Sequence, residues 1–130
     1  MINRKLILLI FVSTILLLSG CTYGSYSTFK STEKNTSSMM SMKYEKFNGY
    51  KATSIKVKEG HPINVNVDIV SNKGKLDMSI KDENGHSFYE GKDIPTSSFS
   101  VRLDKSGDYK LKVQGEKHSG SYKITWEKEK

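Results

Sequence analysis

The sequence predicts an all-β fold, a two-layer antiparallel β-sandwich that follows a signal peptide and a flexible tether. Apolar residues recur at every second position through most of residues 43–130. Turn-forming residues interrupt this alternation at intervals of about 8 to 12 residues. No segment of this range has a convincing helical period. Seven or eight short, half-buried strands in about 85 residues are typical of a sandwich.

The first 20 residues predict an export signal. Arg4 and Lys5 precede an apolar run at 6–18. As a helix this run would extend only about 20 Å, short of the roughly 30 Å of hydrocarbon that a spanning helix must cross. The run ends in Leu18-Ser19-Gly20-Cys21, which resembles the lipobox of bacterial lipoproteins. The resemblance implies that Cys21 becomes the first residue after cleavage and carries a diacylglyceryl group, with fatty acids such as palmitate, on its sulfur.

Residues 21–42 are predicted to form the flexible tether. Serine and threonine dominate this segment, and its aromatic residues Tyr23, Tyr26 and Phe29 follow neither a strand nor a helix period. A flexible chain of about 20 residues has an end-to-end distance on the order of 25 Å, which would hold the domain clear of the lipid headgroups. An alternative places these aromatic side chains at the membrane interface. The folded domain, residues 43–130, is expected to begin at Lys43.

The predicted domain starts with a hairpin. Strands at 44–47 and 50–57 flank Asn48-Gly49, a pair that tolerates the positive φ angles of a two-residue turn. After a turn at 58–62, apolar residues alternate strictly with polar ones over 63–69. This alternation predicts a strand with one buried side and one side that faces water.

The rest of the domain continues as strands separated by polar turns. Alternating apolar or aromatic residues predict the strands, whereas Gly, Asp, Asn and Pro predict the connections. The predicted strands are 76–80, 87–90, 99–103, 109–113 and 122–126, and the predicted turns and loops are 72–74, 82–85, 91–97, 104–107 and 115–120.

Three stretches resemble the bacterial pre-peptidase C-terminal domain. They are Asp82-Glu83-Asn84-Gly85, Gly107-Asp108-Tyr109-Lys110-Leu111-Lys112-Val113 and Gly120-Ser121-Tyr122. That family has an Asp-x-x-Gly turn, a Gly-x-Tyr-x-Leu-x-Val strand and a closing Gly-x-Tyr strand in this order. The resemblance implies a jelly-roll-like β-sandwich with an accessory, binding-type role and no catalytic residues. The family's domains usually accompany a secreted enzyme, and no enzyme domain accompanies this one in the sequence.

Charge and cysteine content limit the expected partners. The chain after residue 20 has 19 Lys and Arg against 14 Asp and Glu, a surplus of +5. Outside the cell the abundant polyanions are lipid headgroups and surface polymers, which attract a basic domain. Nucleic acid is not an expected partner there. With the one cysteine committed to lipid, no disulfide and no thiolate metal ligand is expected.

The histidines do not indicate an active site. His61, His86 and His118 lie in predicted turns or at strand starts, far apart and without a shared motif, and are expected to be exposed to solvent. Hydrolysis would need an activated nucleophile with a base and an orienting group, and zinc would need converging ligands. The sequence therefore predicts a protein that is not an enzyme.

Two turns are rich in the oxygen ligands that calcium prefers. Asp82 and Asn84 lie in one of them, and Asp104, Ser106 and Asp108 lie in or beside the other. Neither turn has the ligand density of a known calcium loop, and Asp and Asn favour turns without any metal. Calcium is therefore an alternative to the main expectation of no cofactor.

A basic surface with tyrosines is the remaining candidate for binding. Its predicted residues are Tyr50, Lys51, Lys110 and Lys112, because lysines interleave with tyrosines along the predicted strands. Such a surface is usually only the solvated side of a sheet, where charges discourage edge-to-edge aggregation. It also suits an anionic surface polymer or a protein partner, and binding to a polymer would weaken as salt screens the charges.

These features predict a lipid-anchored protein at the outer face of the cell membrane, acting as a non-catalytic binding or accessory module. Its membrane partner is lipid, through acylated Cys21. Two alternatives remain open. One is a structural lipoprotein of the envelope, and the other is a calcium-stabilised sandwich that assists a secreted or membrane enzyme.

Overall fold

The computed structural model describes residues 22–129, so the predicted signal peptide at 1–20 and the lipidation site Cys21 lie outside the described residues. Within 22–129 there is no helix long and apolar enough to cross a membrane. The seven strands are β1 (Tyr23–Phe29), β2 (Thr32–Thr36), β3 (Met39–Val57), β4 (Ile63–Asp82), β5 (Ser87–Gly91), β6 (Ser97–Leu103) and β7 (Gly107–Lys128).

Three long strands run through two layers. β3, β7 and β4 lie side by side with antiparallel pairing, and each bends near its middle. On one side of the bends, layer one has the strand order β2-β3-β7-β4-β6. On the other side, layer two has the order β1-β3-β7-β4-β5. One continuous apolar core joins the two layers, which confirms the predicted antiparallel β-sandwich.

The core contains the residues that alternation assigned to it. In β4 the inner positions of both halves are buried, so this single strand contributes to the core from both layers. A chain that begins at Thr22 therefore retains every strand and every core residue that the structure describes. The buried inner positions of β4 are Ile63, Val65, Val67, Ile69, Leu76, Met78 and Ile80.

Three of the predicted turns are wrong, because the strands bend at these places instead of ending. The sequence predicts reversals at 48–49, 72–74 and 115–120, but β3, β4 and β7 continue through them. On both sides of each segment the pairing among β3, β7 and β4 is the same, so the backbone bends without reversing. The turn-forming residues are correctly located, but here they produce register shifts of the kind found at β-bulges. Two predicted strands thus become one in each case.

The bends lie beside one another in the sheet and contact each other. Gly49 and Gly74 have φ angles of 113° and 72°, which glycine adopts without a steric penalty. The Asn48 side-chain oxygen accepts a hydrogen bond from the Lys117 backbone N–H at 2.7 Å. The bend of β3 is therefore joined to the bend of β7.

The turns that connect separate strands agree with the sequence prediction. At 58–62 and 82–85 the chain reverses, with Gly60 and Gly85 at φ angles of 76° and 83°. The Gly85 N–H donates to the Asp82 carbonyl at 3.1 Å.

The N-terminal segment corrects the predicted tether at 21–42. Residues 23–36 form the edge strands β1 and β2, both paired with β3, so the described domain begins at Thr22 rather than at Lys43. Almost every residue of β1 and β2 is exposed. A strand without a buried side shows no apolar alternation, which explains why the sequence pattern missed both.

Side-chain contacts between the two layers close both open edges of the sandwich. At the edge formed by β1 and β2, Lys51 Nζ of layer two lies 2.7 Å from Glu33 Oε2 of layer one. At the edge formed by β5 and β6, the ring centres of Tyr89 and Phe99 lie 5.0 Å apart. These contacts hold the two layers together outside the central strands.

Candidate functional site

Three of the four predicted surface residues lie together on the outer side of layer two. Lys112 Nζ of β7 is 4.9 Å from the ring centre of Tyr50 of β3, and Lys110 lies two positions earlier on the same side of β7. Tyr23 of β1 adds a second ring, 5.5 Å from Lys110 Nζ. We call Tyr23, Tyr50, Lys110 and Lys112 the tyrosine–lysine face. Each cation–π contact orients an ammonium group and contributes about 0.5–1 kcal/mol at an exposed site.

The tyrosine–lysine face continues into a shallow depression across β7, β4 and β5. The depression has a volume of about 180 Å³, and its lining includes Lys112, Gln114, Asp77 and Glu90. These side chains present ammonium, amide and carboxylate groups to the same space. The depression therefore suits a polar ligand that has both donors and acceptors.

Lys51 does not belong to this face, although the sequence grouped it with Tyr50. It is 5% exposed, and its Nζ bonds Glu33 Oε2 at 2.7 Å and the Tyr26 hydroxyl at 3.4 Å. Adjacent residues of a strand point to opposite sides, so Lys51 points inward where Tyr50 points outward. Its role is to join the layers.

In the first predicted calcium turn, the Asp82 carboxylate already accepts hydrogen bonds from within the turn. Asp82 Oδ1 accepts from the backbone N–H groups of Asn84 at 3.0 Å and His86 at 2.8 Å, and Asp82 Oδ2 lies 3.2 Å from His86 Nδ1. Partial burial acts to raise the pKa of Asp82, but the hydrogen bonds from His86 and Asn84 outweigh this effect. The pKa of Asp82 therefore lies below its ordinary value. The carboxylate thus stabilises the turn.

The second predicted calcium turn does not add ligands to the first. Asp104 Oδ2 lies 3.3 Å from Arg102 Nη1, and Asp108 is exposed on β7 opposite Lys56. Across residues 22–129, no group of three or more His, Cys, Asp or Glu side chains is arranged to hold a metal ion. Calcium therefore stays a prediction without a ligand set in this part of the chain.

His118 is buried, which corrects the expectation that all three histidines are exposed. Its Nδ1 lies 2.6 Å from the Tyr44 hydroxyl, and its Nε2 lies 2.8 Å from Ser71 Oγ. Ser71 Oγ also lies 2.8 Å from the Ile94 carbonyl oxygen. A neutral ring protonated on Nε2 satisfies every group: Tyr44 donates to Nδ1, Nε2–H donates to Ser71, and Ser71 donates to Ile94.

The direction of these hydrogen bonds opposes nucleophilic catalysis. A catalytic serine gives its proton to an imidazole, whereas Ser71 gives its proton to the Ile94 carbonyl and accepts one from His118. Burial lowers the pKa of His118, and the nearby Asp93 offsets this only in part. The neutral ring braces the bend of β7 against β3 and β4.

A pattern in the sequence could have placed His118 in the core. The inward residues of the last part of β7 are Tyr122, Ile124 and Trp126, and the same alternation extended backwards reaches Gly120 and His118. The predicted turn at 115–120 prevented this extension. The Lys51–Glu33 pair had no comparable signal, because Glu33 lies on a strand that was not predicted.

Comparison with known proteins gives structural matches only. No protein-family model matches the chain, and no curated protein matches it. Similar solved structures include TmCBM61 in complex with beta-1,4-galactotriose, at 12% identity over 88% of this chain and 94% of that chain, with a TM-score of 0.45. The low affinity xylan binding module CBM86 from Roseburia intestinalis is 5% identical over 83% of this chain and 94% of that one, with a TM-score of 0.44. BiXyn10A CBM1 is 12% identical over 82% of this chain and 87% of that one, with a TM-score of 0.42.

The resemblance to the pre-peptidase C-terminal domain stays a prediction, because no family model tests it. At the identities and TM-scores above, the structural matches have no bearing on what this chain binds.

Proposed function

We propose that this protein is a lipid-anchored, non-catalytic binding module on the outer face of the cell membrane. The lipobox-like motif supports the anchor, and β1 begins at Tyr23, only two residues after Cys21. Consecutive Cα atoms are about 3.8 Å apart. An acyl group on Cys21 would therefore hold the sandwich directly by its β1 edge.

The exposed aromatic residues of β1 are the observation that carries this proposal. Tyr23, Tyr26 and Phe29 are 46%, 40% and 56% exposed, and within residues 22–129 Val70 is the one other large apolar side chain exposed to this degree. Aromatic residues such as Tyr favour the boundary between hydrocarbon and water. Their concentration on the strand that follows Cys21 supports a domain that rests on the bilayer by its β1 edge.

The partner would bind further along layer two, at Tyr50, Lys112 and the depression beyond them, whereas Tyr23 would belong to the bilayer contact. β5 forms the opposite edge of layer two from β1, so the depression across β7, β4 and β5 would lie on the part of the layer far from the bilayer. Its mixed charges suit an anionic polymer that carries hydroxyl groups, or a polar protein surface. The hydrogen-bond direction at Ser71 and His118 supports a role without catalysis.

Replacing the anchor residue tests the proposed location. In cells supplied with labelled palmitate, the wild-type protein should carry label and sediment with membranes, whereas Cys21→Ala should carry none and be released or remain as the uncleaved precursor. Ser19→Ala serves as a control within the same segment and should keep the label. A Cys21→Ala product that still carries the palmitate label, or that is processed and stays on membranes washed with high salt, would overturn the anchoring proposal.

Cross-linking on the same cells tests the binding role. A partner that is captured by the wild type should be lost with Tyr50→Ala and Lys112→Ala. It should be retained with Lys105→Ala, which removes an exposed lysine from the turn between β6 and β7, outside the tyrosine–lysine face and the depression. Hydrolase activity of the wild type that disappears with His118→Asn, in a variant shown by its thermal unfolding to be folded, would contradict the non-catalytic role. Absence of any partner in several growth conditions would contradict the binding role and favour a structural envelope protein.

A further inference from the structure

We infer that a second site, on the outer side of layer one, binds the phosphate of anionic phospholipid headgroups. This site is a depression of about 360 Å³ on β2, β3 and β7, separate from the tyrosine–lysine face. It was missed in the sequence because one of its strands, β2, was assigned to the tether. We call it the lysine site, and its polar lining residues are Lys34, Lys43, Lys123, Thr32, Ser41 and Ser121.

Strand register brings the three lysines together. Lys34 of β2 pairs with Ser41 of β3, and Ser41 pairs with Lys123 of β7. Lys43 follows Ser41 by two positions and therefore lies on the same side of β3. The intervening Met42 is buried in the core, which fixes Lys43 and Ser41 on the outer side. Three ammonium groups thus surround a floor of small hydroxyl side chains.

The charges of the lysine site are not neutralised by the residues that the structure describes. No carboxylate lines the depression, and none of Lys34, Lys43 and Lys123 forms an ion pair within 22–129. Three acidic residues are near these lysines in sequence or register, and each is bonded to another residue. Glu33 bonds Lys51 at 2.7 Å, and Glu45, two positions after Lys43, lies 3.7 Å from Lys30. Asp68, which pairs with Lys123, keeps its charge but accepts from the Ser98 hydroxyl at 2.6 Å.

This combination of groups matches a phosphate. Lysine binds phosphate as a point charge with three donors, and an anion between several ammonium groups relieves their mutual repulsion. The hydroxyls of Thr32 and Ser121 have no hydrogen-bond partner within 22–129, so both can donate to a phosphate oxygen, whereas Ser41 already donates to the Lys34 carbonyl at 3.3 Å. By contrast, the depression of layer two is lined by Asp77 and Glu90 as well as by lysines, so its charges are mixed.

The position of β2 identifies the source of the phosphate. The Tyr26 hydroxyl of β1 donates to Glu33 at 3.2 Å, so Lys34, the next residue, lies across the same edge from the strand that follows Cys21. The assignment rests on the proposed anchoring at Cys21, because only an anchored domain keeps this edge at the bilayer. The phosphates within reach of that edge are those of the lipid headgroups.

Vesicle binding by the chain from Thr22 to Lys130, which lacks any acyl group, tests the inference. This chain should sediment with vesicles of phosphatidylglycerol and phosphatidylcholine, and not with vesicles of phosphatidylcholine alone. Lys34→Ala, Lys43→Ala and Lys123→Ala should each lower the affinity about fivefold, as expected for a lysine near an anionic surface. Because all three lysines are exposed, thermal unfolding should be unchanged, which confirms that the variants are folded.

Matched charge changes provide the control. Lys56→Ala, Lys75→Ala and Lys105→Ala remove the same number of charges at exposed positions outside the lysine site and outside the tyrosine–lysine face, and should lower the affinity less than twofold each. Equal losses from both sets would overturn the lysine site, because net charge alone would then explain binding. Binding to soluble poly(glycerol phosphate) that depends on the three lysines, without binding to vesicles, would overturn the headgroup assignment in favour of a surface polymer.

Failure of the lysine site in the vesicle test can be distinguished from failure of the anchoring proposal in the Cys21→Ala test. If Cys21→Ala keeps the palmitate label while the unacylated chain binds anionic vesicles through its lysines, the anchor proposal fails and the lysine site stands. If acylation is confirmed and the unacylated chain ignores anionic vesicles, the lysine site fails alone.

Discussion

The side chain of His118 connects three strands at the centre of the sandwich. The ring lies on β7, its partner Tyr44 on β3 and its partner Ser71 on β4, all near the bends. Protonation would place a charge where the ring is fully buried, and Asp93 compensates it only in part. A proton on this ring therefore favours the unfolded chain.

We expect the protein to lose stability as the pH falls below about 6.5, the ordinary pKa of an exposed histidine. The folded-state pKa of His118 is lowered, so the unfolded chain takes up the proton first. The contribution is complete above the unfolded pKa and is lost as the pH falls towards the folded one, at up to about 1.4 kcal/mol per pH unit. Urea unfolding between pH 7.5 and 5 measures this slope.

Two comparisons assign the slope to its residue. His61→Asn changes an exposed histidine and should leave the slope unchanged, whereas His118→Asn should abolish it. Should the second variant not fold, NMR titration of the wild type gives the same answer, because the His118 ring should stay neutral at pH 6.5, the ordinary pKa of an exposed histidine. A His118 ring that titrates at or above that pH would refute the lowered pKa.

At the scale of elements, a strand sorts neighbouring residues into different environments. Tyr50 and Lys51 are adjacent and both polar, yet one lies on the tyrosine–lysine face and the other closes an edge of the core. The alternation of apolar and polar residues could not predict which of the two is buried, because it is interrupted here: three consecutive residues of β3, at 51–53, are buried. The pairing of β3 with β1 and β7 determines which side each one takes.

Whether β1 is a strand or a tether can be decided at Gly24. A Cβ added there would overlap the carbonyl oxygen of Tyr50 on β3, so Gly24→Ala should push the strands apart. We expect a loss of more than about 1 kcal/mol in the free energy of unfolding. The neighbouring Ser25→Ala, at an exposed position, should change it by less than about 0.5 kcal/mol. A flexible tether would tolerate both changes equally, and equal stabilities would therefore contradict the β1–β3 pairing.

At the scale of the whole molecule, the three aligned bends allow one sheet to fold over and enclose its own core. Strand β7 needs Gly120 for this, with φ at 144° and no room for a side chain, because an added Cβ would overlap the Val70 carbonyl oxygen of β4. Gly60, in the turn between β3 and β4, also has a positive φ, of 76°, but open space around it. Substituting each glycine therefore distinguishes the cost of a strained φ angle from the cost of steric overlap with a neighbouring strand.

We predict that Gly120→Ala lowers the free energy of unfolding by more than about 2 kcal/mol, since strain and overlap act together. Gly60→Ala should cost only about 1 kcal/mol, the strain of a positive φ alone. Urea unfolding of the two variants measures the difference. Equal costs would show that the bend of β7 is not packed against β4 as described.

The sequence by itself determined the fold class, most of the core and the places where the backbone departs from extended geometry. These follow from local rules: the two-residue period of a half-buried strand and the φ preferences of Gly and Asn act within a few residues. Hence Val65, Val67 and Ile69 were placed correctly, and 48–49 was correctly identified as irregular.

The tertiary structure alone decided what those local features are used for. A positive φ serves a reversal or a bend according to which strand its flanks pair with, and an edge strand with no buried side leaves no pattern to detect. For the same reason the lysine site was not predictable. Lys34 meets Lys123 only through the hydrogen-bonded register of β2, β3 and β7, which is a property of distant parts of the chain.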